Sequence, residues 1–153
     1  MSSISNSFNI SASGLTSQRL RMDVISSNIA NADTTRASVV NGQAVPYKRK
    51  MVVMSTNETS NFADVLQSKM TGSSQATGEG VKVSEITEDT SPLKPVYDPT
   101  HPDADENGYV YYPNVDTTKE MIDMISATRS YEANVTAFNA AKSIFSKALQ
   151  IGK

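Results

Sequence analysis

No cysteine occurs in the 153 residues, which removes disulfides, thiolate metal sites and thiol redox chemistry from consideration. Tryptophan is absent and phenylalanine occurs four times, so the chain is poor in the bulky groups that fill a large interior. That scarcity points to packing completed by something outside the monomer. A dominant charge is missing too. With 14 basic against 16 acidic side chains and a net charge of −2, there is no broad positive field, and no nucleic-acid partner is expected. No run approaches the roughly 18 continuous apolar residues of a membrane-spanning helix, so no direct membrane insertion is expected. Met1 to Leu20 has neither a basic start nor an unbroken apolar core and is read as lacking a cleavable secretory signal.

What the chain does have is a period. Ile4, Phe8, Ser11, Leu15, Gln18, Met22, Ile25 and Ile29 are spaced alternately by fours and threes, a heptad-like stripe that keeps one helix face against a partner over its whole length. Gly14 weakens that helix by roughly 1 kcal/mol relative to alanine. Asn31-Ala32-Asp33-Thr34-Thr35 ends it, because Asn tolerates left-handed backbone and Asp and Thr bond to nearby amides. At the other end, Thr117 and Glu120 have capping-box spacing. The stripe that follows runs through Met121, Met124, Thr128, Tyr131, Val135, Phe138, Lys142, Phe145 and Leu149, and Gly152 stops it. A second line, Ala127, Asn134, Ala137, Ala141, Ile144, Ala148 and Ile151, is made largely of small residues that let another helix approach closely. At 1.5 Å per residue the two helices would reach roughly 40–50 Å. The polar members Ser11, Gln18, Thr128 and Lys142 weaken a simple dimer and suit register among several helices.

Residues 37–113 hold all six prolines. Ala44–Met54, Gly80–Glu88, Lys94–Tyr97 and Tyr109–Tyr112 place β-branched and aromatic residues between turn formers and read as strands of a small β-rich module. Ser55–Gly78 is rich in Ser, Thr, Asn and Gly and reads as a flexible excursion, either disordered or carrying a short docking helix at Phe62, Val65, Leu66 and Met70. The fold class is therefore α+β: a discontinuous helical coiled-coil domain from residues 1–36 and 114–153, with a β-rich domain, 37–113, inserted between them.

Chemical motifs are few. Asp103-Ala-Asp105-Glu-Asn107-Gly108 copies the first six positions of a calcium-binding loop, but the twelfth position is Asn114 where a bidentate Glu should close the cage. A turn before the strand at Tyr109 is the reading preferred. His101, between Asp98 and Asp103, has neither nucleophile nor metal partner. No Gly-rich phosphate loop follows a strand, and no nucleophile elbow occurs. The chain is read as no enzyme, with no catalytic residues, metal or cofactor. Lys48-Arg49-Lys50 is the densest positive cluster; as a strand it puts Arg49 on one face and the lysines on the other, so it reads as a guarded edge or a salt bridge to another subunit.

ISASGLTSQRLRMDVISSNIANADTTR, from Ile10 to Arg36 and centred on Asn28-Ile-Ala-Asn31, resembles the N-terminal signature of the flagellar rod and hook axial proteins. MISATRSYEANVTAFNAAKSIFSKALQIGK, from Met124 to Lys153, resembles their paired C-terminal signature, most tellingly at Ser130-Tyr131-Glu132-Ala133-Asn134. Pro46-Tyr47, Gly80-Val81-Lys82-Val83, Tyr97-Asp98-Pro99 and Gly108-Tyr109-Val110 fall where the proximal-rod members of that family have their middle motifs. The resemblance implies a structural subunit of the hollow drive shaft in the bacterial basal body, outside the cytoplasmic membrane. It also implies passage through the flagellar type III export apparatus and assembly with further copies and with other rod subunits. On this reading the subunit-packing residues are Phe8, Leu15, Met22, Ile25 and Ile29, with Met124, Tyr131, Val135, Phe138, Phe145 and Leu149 opposite them, while Asn28 and Asn31 shape the helix exit. The alternatives are a non-polymerising coiled-coil adaptor and, more remotely, a calcium-regulated module or hydrolase.

Overall fold

A computed structural model describes residues 2–40, 43–57, 70 and 80–151. Helix α1 spans Ser2–Ala30 and helix α2 spans Thr117–Ile151. Between them in the chain lie β1 (Ser38–Val40), β2 (Gln43–Val45), β3 (Lys50–Thr56), β4 (Val81–Glu88), β5 (Lys94–Tyr97) and β6 (Tyr109–Tyr112). The strands form three two-stranded sheets, β1 with β2, β3 with β4 and β5 with β6. The α+β class holds. The described strands make three two-stranded ribbons.

The helix ends follow backbone accounting. Asn31 closes α1: its amide bonds the Ser27 carbonyl at 3.1 Å, and its side-chain Nδ2 donates to that same oxygen at 2.8 Å. Thr34 then donates its hydroxyl to Asn31 Oδ1 at 3.2 Å. The start of α2 differs from the expected capping box. Asp116 is the cap, its Oδ1 accepting from the amides of Thr118 and Lys119 at 3.0 and 3.2 Å, as an acidic side chain beside the free N–H groups should. Glu120 is left free for another use.

The run Ala44–Met54 does not stay one strand. Pro46 has no N–H to donate, the amide of Tyr47 turns to the Thr34 carbonyl at 3.1 Å, and that of Arg49 to Asn114 Oδ1 at 2.9 Å. Pairing therefore stops after Val45 and resumes at Lys50. β1, Ser38–Val40, is too short at three residues for a strand pattern to show; in the sequence the dipeptide Asn41-Gly42 is the available hairpin signal. Ser55 and Thr56 belong to β3 rather than to the excursion. Phe62, Val65 and Leu66 lie outside the described residues, and Met70 is helical and exposed.

Contacts divide the chain into two compact units, one of residues 1–19, 54–84 and 129–153, the other of 20–53 and 85–128. In the first, Phe8 of α1 meets Phe138 of α2 edge-on at 5.1 Å and Phe145 at 6.3 Å, the favoured geometry for aromatic quadrupoles. Gly14 is buried because the helices come close there: a Cβ would stand 3.0 Å from Asn134 Oδ1. The start of β4 is stitched to α1. Ser13 Oγ accepts from the Val81 amide at 3.1 Å and donates to the Ile10 carbonyl, and Ser17 Oγ donates to the Val81 carbonyl at 3.4 Å. A side chain on Gly80 would meet Ser13 Oγ at 2.4 Å, so only glycine permits the stitch. Ser13→Ala should lower stability by about 1 kcal/mol, the net worth of such a bond, read as a drop in Tm with an unchanged helical circular dichroism spectrum.

In the second unit the core is Val24 and Ile25 of α1, Tyr47, Val110, Val115 and Ala127 of α2. The β5–β6 pair is antiparallel with Lys94 opposite Tyr112 and Tyr97 opposite Tyr109. Val110 points inward, and Lys94 Nζ donates to the Val115 carbonyl at 2.9 Å.

Candidate assembly surface and its internal latch

The two stripes are brought together, unit by unit, and are only partly consumed in doing so. Ile25 and Asn28 are buried. Phe8, Leu15, Met22, Ile29, Asn31, Met124, Tyr131, Val135 and Phe138 are half-buried. Phe145 and Leu149 are exposed, at 39% and 53%, together with Met121, Ile122, Ile125 and Ile144 on the same helix. Among the described residues, helix α2 thus carries six exposed large apolar side chains, far more than scattered surface apolar residues require. Of the polar stripe positions, the Thr128 hydroxyl bonds the Met124 carbonyl at 2.9 Å and touches Met22 Sδ at 3.5 Å. Gln18 Oε1 is buried with no hydrogen-bond partner among the described residues.

Sequence reasoning missed the polar knot in the second unit. Asn28 has every side-chain group satisfied: Nδ2 donates to the Lys50 carbonyl at 2.9 Å and to Glu120 Oε2 at 3.0 Å, and Oδ1 accepts from the Lys50 amide at 2.9 Å and from the Tyr47 hydroxyl at 3.0 Å. Its amide therefore pairs with Lys50 as a neighbouring strand would. Glu120, 1% exposed, also takes Arg49 Nε at 2.7 Å. Arg49 further reaches Asp89 at 3.3 Å and Asp123 at 3.9 Å, and Asp123 faces Arg21 at 3.5 Å. Burial pulls the Arg49 guanidinium down, but the hydrogen bond and charge of Glu120, joined by those of Asp89, outweigh it and hold the group above the usual arginine value. One knot thus ties the exit of α1, the start of β3 and the first turns of α2.

The cationic cluster is accordingly corrected. Arg49 is paired within the chain rather than kept for another subunit; Lys48 meets Glu88 at 3.5 Å, and Lys50 lies over the Tyr47 ring at 5.7 Å. Capping-box spacing places Glu120 at the helix start, and nothing in helical periodicity shows that its carboxylate turns inward. The one available clue was that Arg49 sits alone on its face of the segment.

The calcium-like run works as a turn. Asp103 accepts from the Thr35 hydroxyl at 2.8 Å and pairs with Arg36; Asp105 accepts from the amides of Asn107 and Tyr109 at 2.8 and 3.1 Å; Gly108 takes a φ of 79°. His101 Nδ1 accepts from the Asp103 amide at 3.1 Å. The Thr35 and Arg36 bonds hold the Asp103 carboxyl below the usual carboxylate value; Ser91, then Arg49, does the same for Asp89, and Thr100 for Asp98. A carboxyl with a lowered folded-state pKa contributes stability above its ordinary value of about 3.9. That contribution is lost as pH falls through the folded value. Acid unfolding should therefore steepen below about pH 4, and Asp103→Asn should flatten that part of the Tm-versus-pH curve.

Comparison with known proteins agrees with this layout. Residues 8–37 match the family profile described as "Flagella basal body rod protein", and residues 106–151 match "Flagellar basal body rod FlgEFG protein C-terminal". The chain is 62% identical over 148 residues, 97% of each chain, to the flagellar basal-body rod protein FlgC of Bacillus subtilis. It is 43% identical over 156 residues, 95% of each chain, to the FlgC of Borreliella burgdorferi, and 41% identical over 148 residues, 97% of each chain, to that of Salmonella typhimurium.

Proposed function

The chain belongs to the flagellar basal-body rod protein FlgC family, and from that premise we propose how this structural rod subunit assembles. Its terminal segments, 1–36 and 114–153, form a coiled-coil rod-core domain that packs against the same segments of further copies and of other rod subunits, giving the wall of the hollow drive shaft. Residues 37–113 form the β-rich middle domain.

The observation that carries this reading is the exposed apolar set on α2, above all Phe145 and Leu149. At about 25 cal/mol per Å² the burial of such side chains is the main term available to drive association, and a neighbouring subunit supplies what the chain lacks. Phe8, Leu15, Met22, Ile29, Met124, Tyr131, Val135 and Phe138, half-covered in the single chain, become fully covered at the same step. Ile25, Asn28 and Asn31 hold the shape of α1 and its exit within the chain. We also propose transit through the flagellar type III export apparatus; among the described residues no helix is long and apolar enough to cross a membrane.

The test is Leu149→Asp. The variant protein should fold as the parent does and fail to enter basal bodies, with motility lost. Normal motility would overturn the proposal, and a stable one-to-one complex with a single partner, never a polymer, would favour the adaptor reading.

A further inference from the structure

Among the described residues, nothing covers one face of the β5–β6 ribbon. Pro95 stands opposite Tyr111, and Tyr97 opposite Tyr109, so these four side chains share one face of the pair. All four are exposed, Tyr97 by 66%, Tyr111 by 44% and Tyr109 by 42%. The face is preorganised: Tyr97 and Tyr109 stack edge-on with centroids 5.4 Å apart. Gly108 makes that possible, since a Cβ there would press on the Tyr97 ring at 3.0 Å. Rigid tyrosines bury large area at low entropic cost and are enriched in interface cores.

The ribbon is bordered by a cleft of about 570 Å³, lined by Tyr111, Arg36, Asp103, Asp105, Glu106 and Asn107 among others. Among the described residues that line it, the one cation is neutralised, because Arg36 pairs with Asp103. Asp105 accepts two backbone amides and forms no ion pair among the described residues; the same is true of Glu106.

We propose that this tyrosine–proline face and its acidic cleft dock an extended, arginine- or lysine-bearing segment of another basal-body protein. The carboxylates take the cationic head in charge-assisted bonds, while the rings take the aliphatic stem and the cation–π contact. Charge decides against other occupants. A second copy presenting the same face would set carboxylate against carboxylate, nucleic-acid phosphates would be repelled, and rings inclined at 68° form no flat platform for a sugar. The proposal rests on the chain standing among other subunits, but not on which helix faces they use.

The absence of cysteine makes the experiment direct. Tyr111→Cys, carrying a benzophenone maleimide, is photo-crosslinked in isolated basal bodies, with Leu149→Cys as the probe of the helix surface. The expected product joins Tyr111→Cys to a segment rich in Arg or Lys, and its yield falls about tenfold with Glu106→Lys or at about 0.5 M salt, as a contact set by charge should. A product mapping to an acidic or apolar segment, or one indifferent to Glu106→Lys and to salt, overturns the proposal. So does the lack of a protein product from Tyr111→Cys while Leu149→Cys crosslinks to a rod subunit, an outcome that leaves the helix reading standing. Should Tyr111→Cys not be incorporated, Tyr97→Cys on the opposite strand carries the label, with the same outcomes deciding.

Discussion

Glu120→Ala should cost about 3 kcal/mol of unfolding free energy, because it removes charge-assisted bonds to buried Asn28 and to Arg49, whose guanidinium keeps only Asp89 and Asp123. Set against a total of about 5–15 kcal/mol for an ordinary domain, that is a large share of what keeps the second unit folded. The loss is not confined to one ion pair. Glu120 is bonded to both Asn28 and Arg49, so its removal also strips Asn28 of one of its four bonds, and an unsatisfied buried polar atom carries its own penalty. Chemical denaturation with tryptophan-free detection, such as tyrosine fluorescence or circular dichroism, would read the change. Glu120→Leu combined with Arg49→Met should recover a large part of the loss, since apolar replacement of a whole buried pair is often nearly neutral. Equal stability of Glu120→Ala and the parent would mean that the knot adds nothing to the fold.

Leu149→Asp should separate assembly from folding more cleanly than any other single change. Leu149 is 53% exposed, so the monomer should keep its stability within about 0.5 kcal/mol, as exposed positions usually do. Buried by a neighbour, the same carboxylate would cost several kcal/mol, since nothing at an apolar seam pairs it. Each 1.4 kcal/mol is tenfold in an equilibrium constant, so incorporation into basal bodies should fall by a factor of a hundred or more. Phe138→Asp is a poorer probe: it also breaks the contact with Phe8 within the chain, and a loss of assembly would then have two causes. Thermal melts beside a motility assay tell the two variants apart.

Much of this architecture was readable from residue order, and the reason is local. Heptad spacing and a left-handed-tolerant Asn at the exit mark α1 whatever surrounds it, and the start of α2 likewise follows from the polar run before its apolar stripe. The strands at 81–88, 94–97 and 109–112 came from β-branched and aromatic runs between turn formers. The break at Pro46 was also legible in principle, yet its consequence depends on Thr34 and Asn114, partners far along the chain, and a sequence window does not hold both. The turn at the calcium-like run was legible too, since Asp, Asn and Gly favour bent backbone whatever lies around them.

Periodicity, turn chemistry and the paired terminal signatures, all of which act within a few residues or a few helical turns, were enough by themselves to determine two helices flanking short strands and to place the chain among rod proteins. Only the tertiary structure decided which Glu bends inward from a helix start to meet Arg49, why residue 14 sits close against Asn134, and which tyrosines share an open face. Those outcomes depend on distances between segments 12 to 120 positions apart, where close packing and the demand that buried polar atoms be paired select one arrangement.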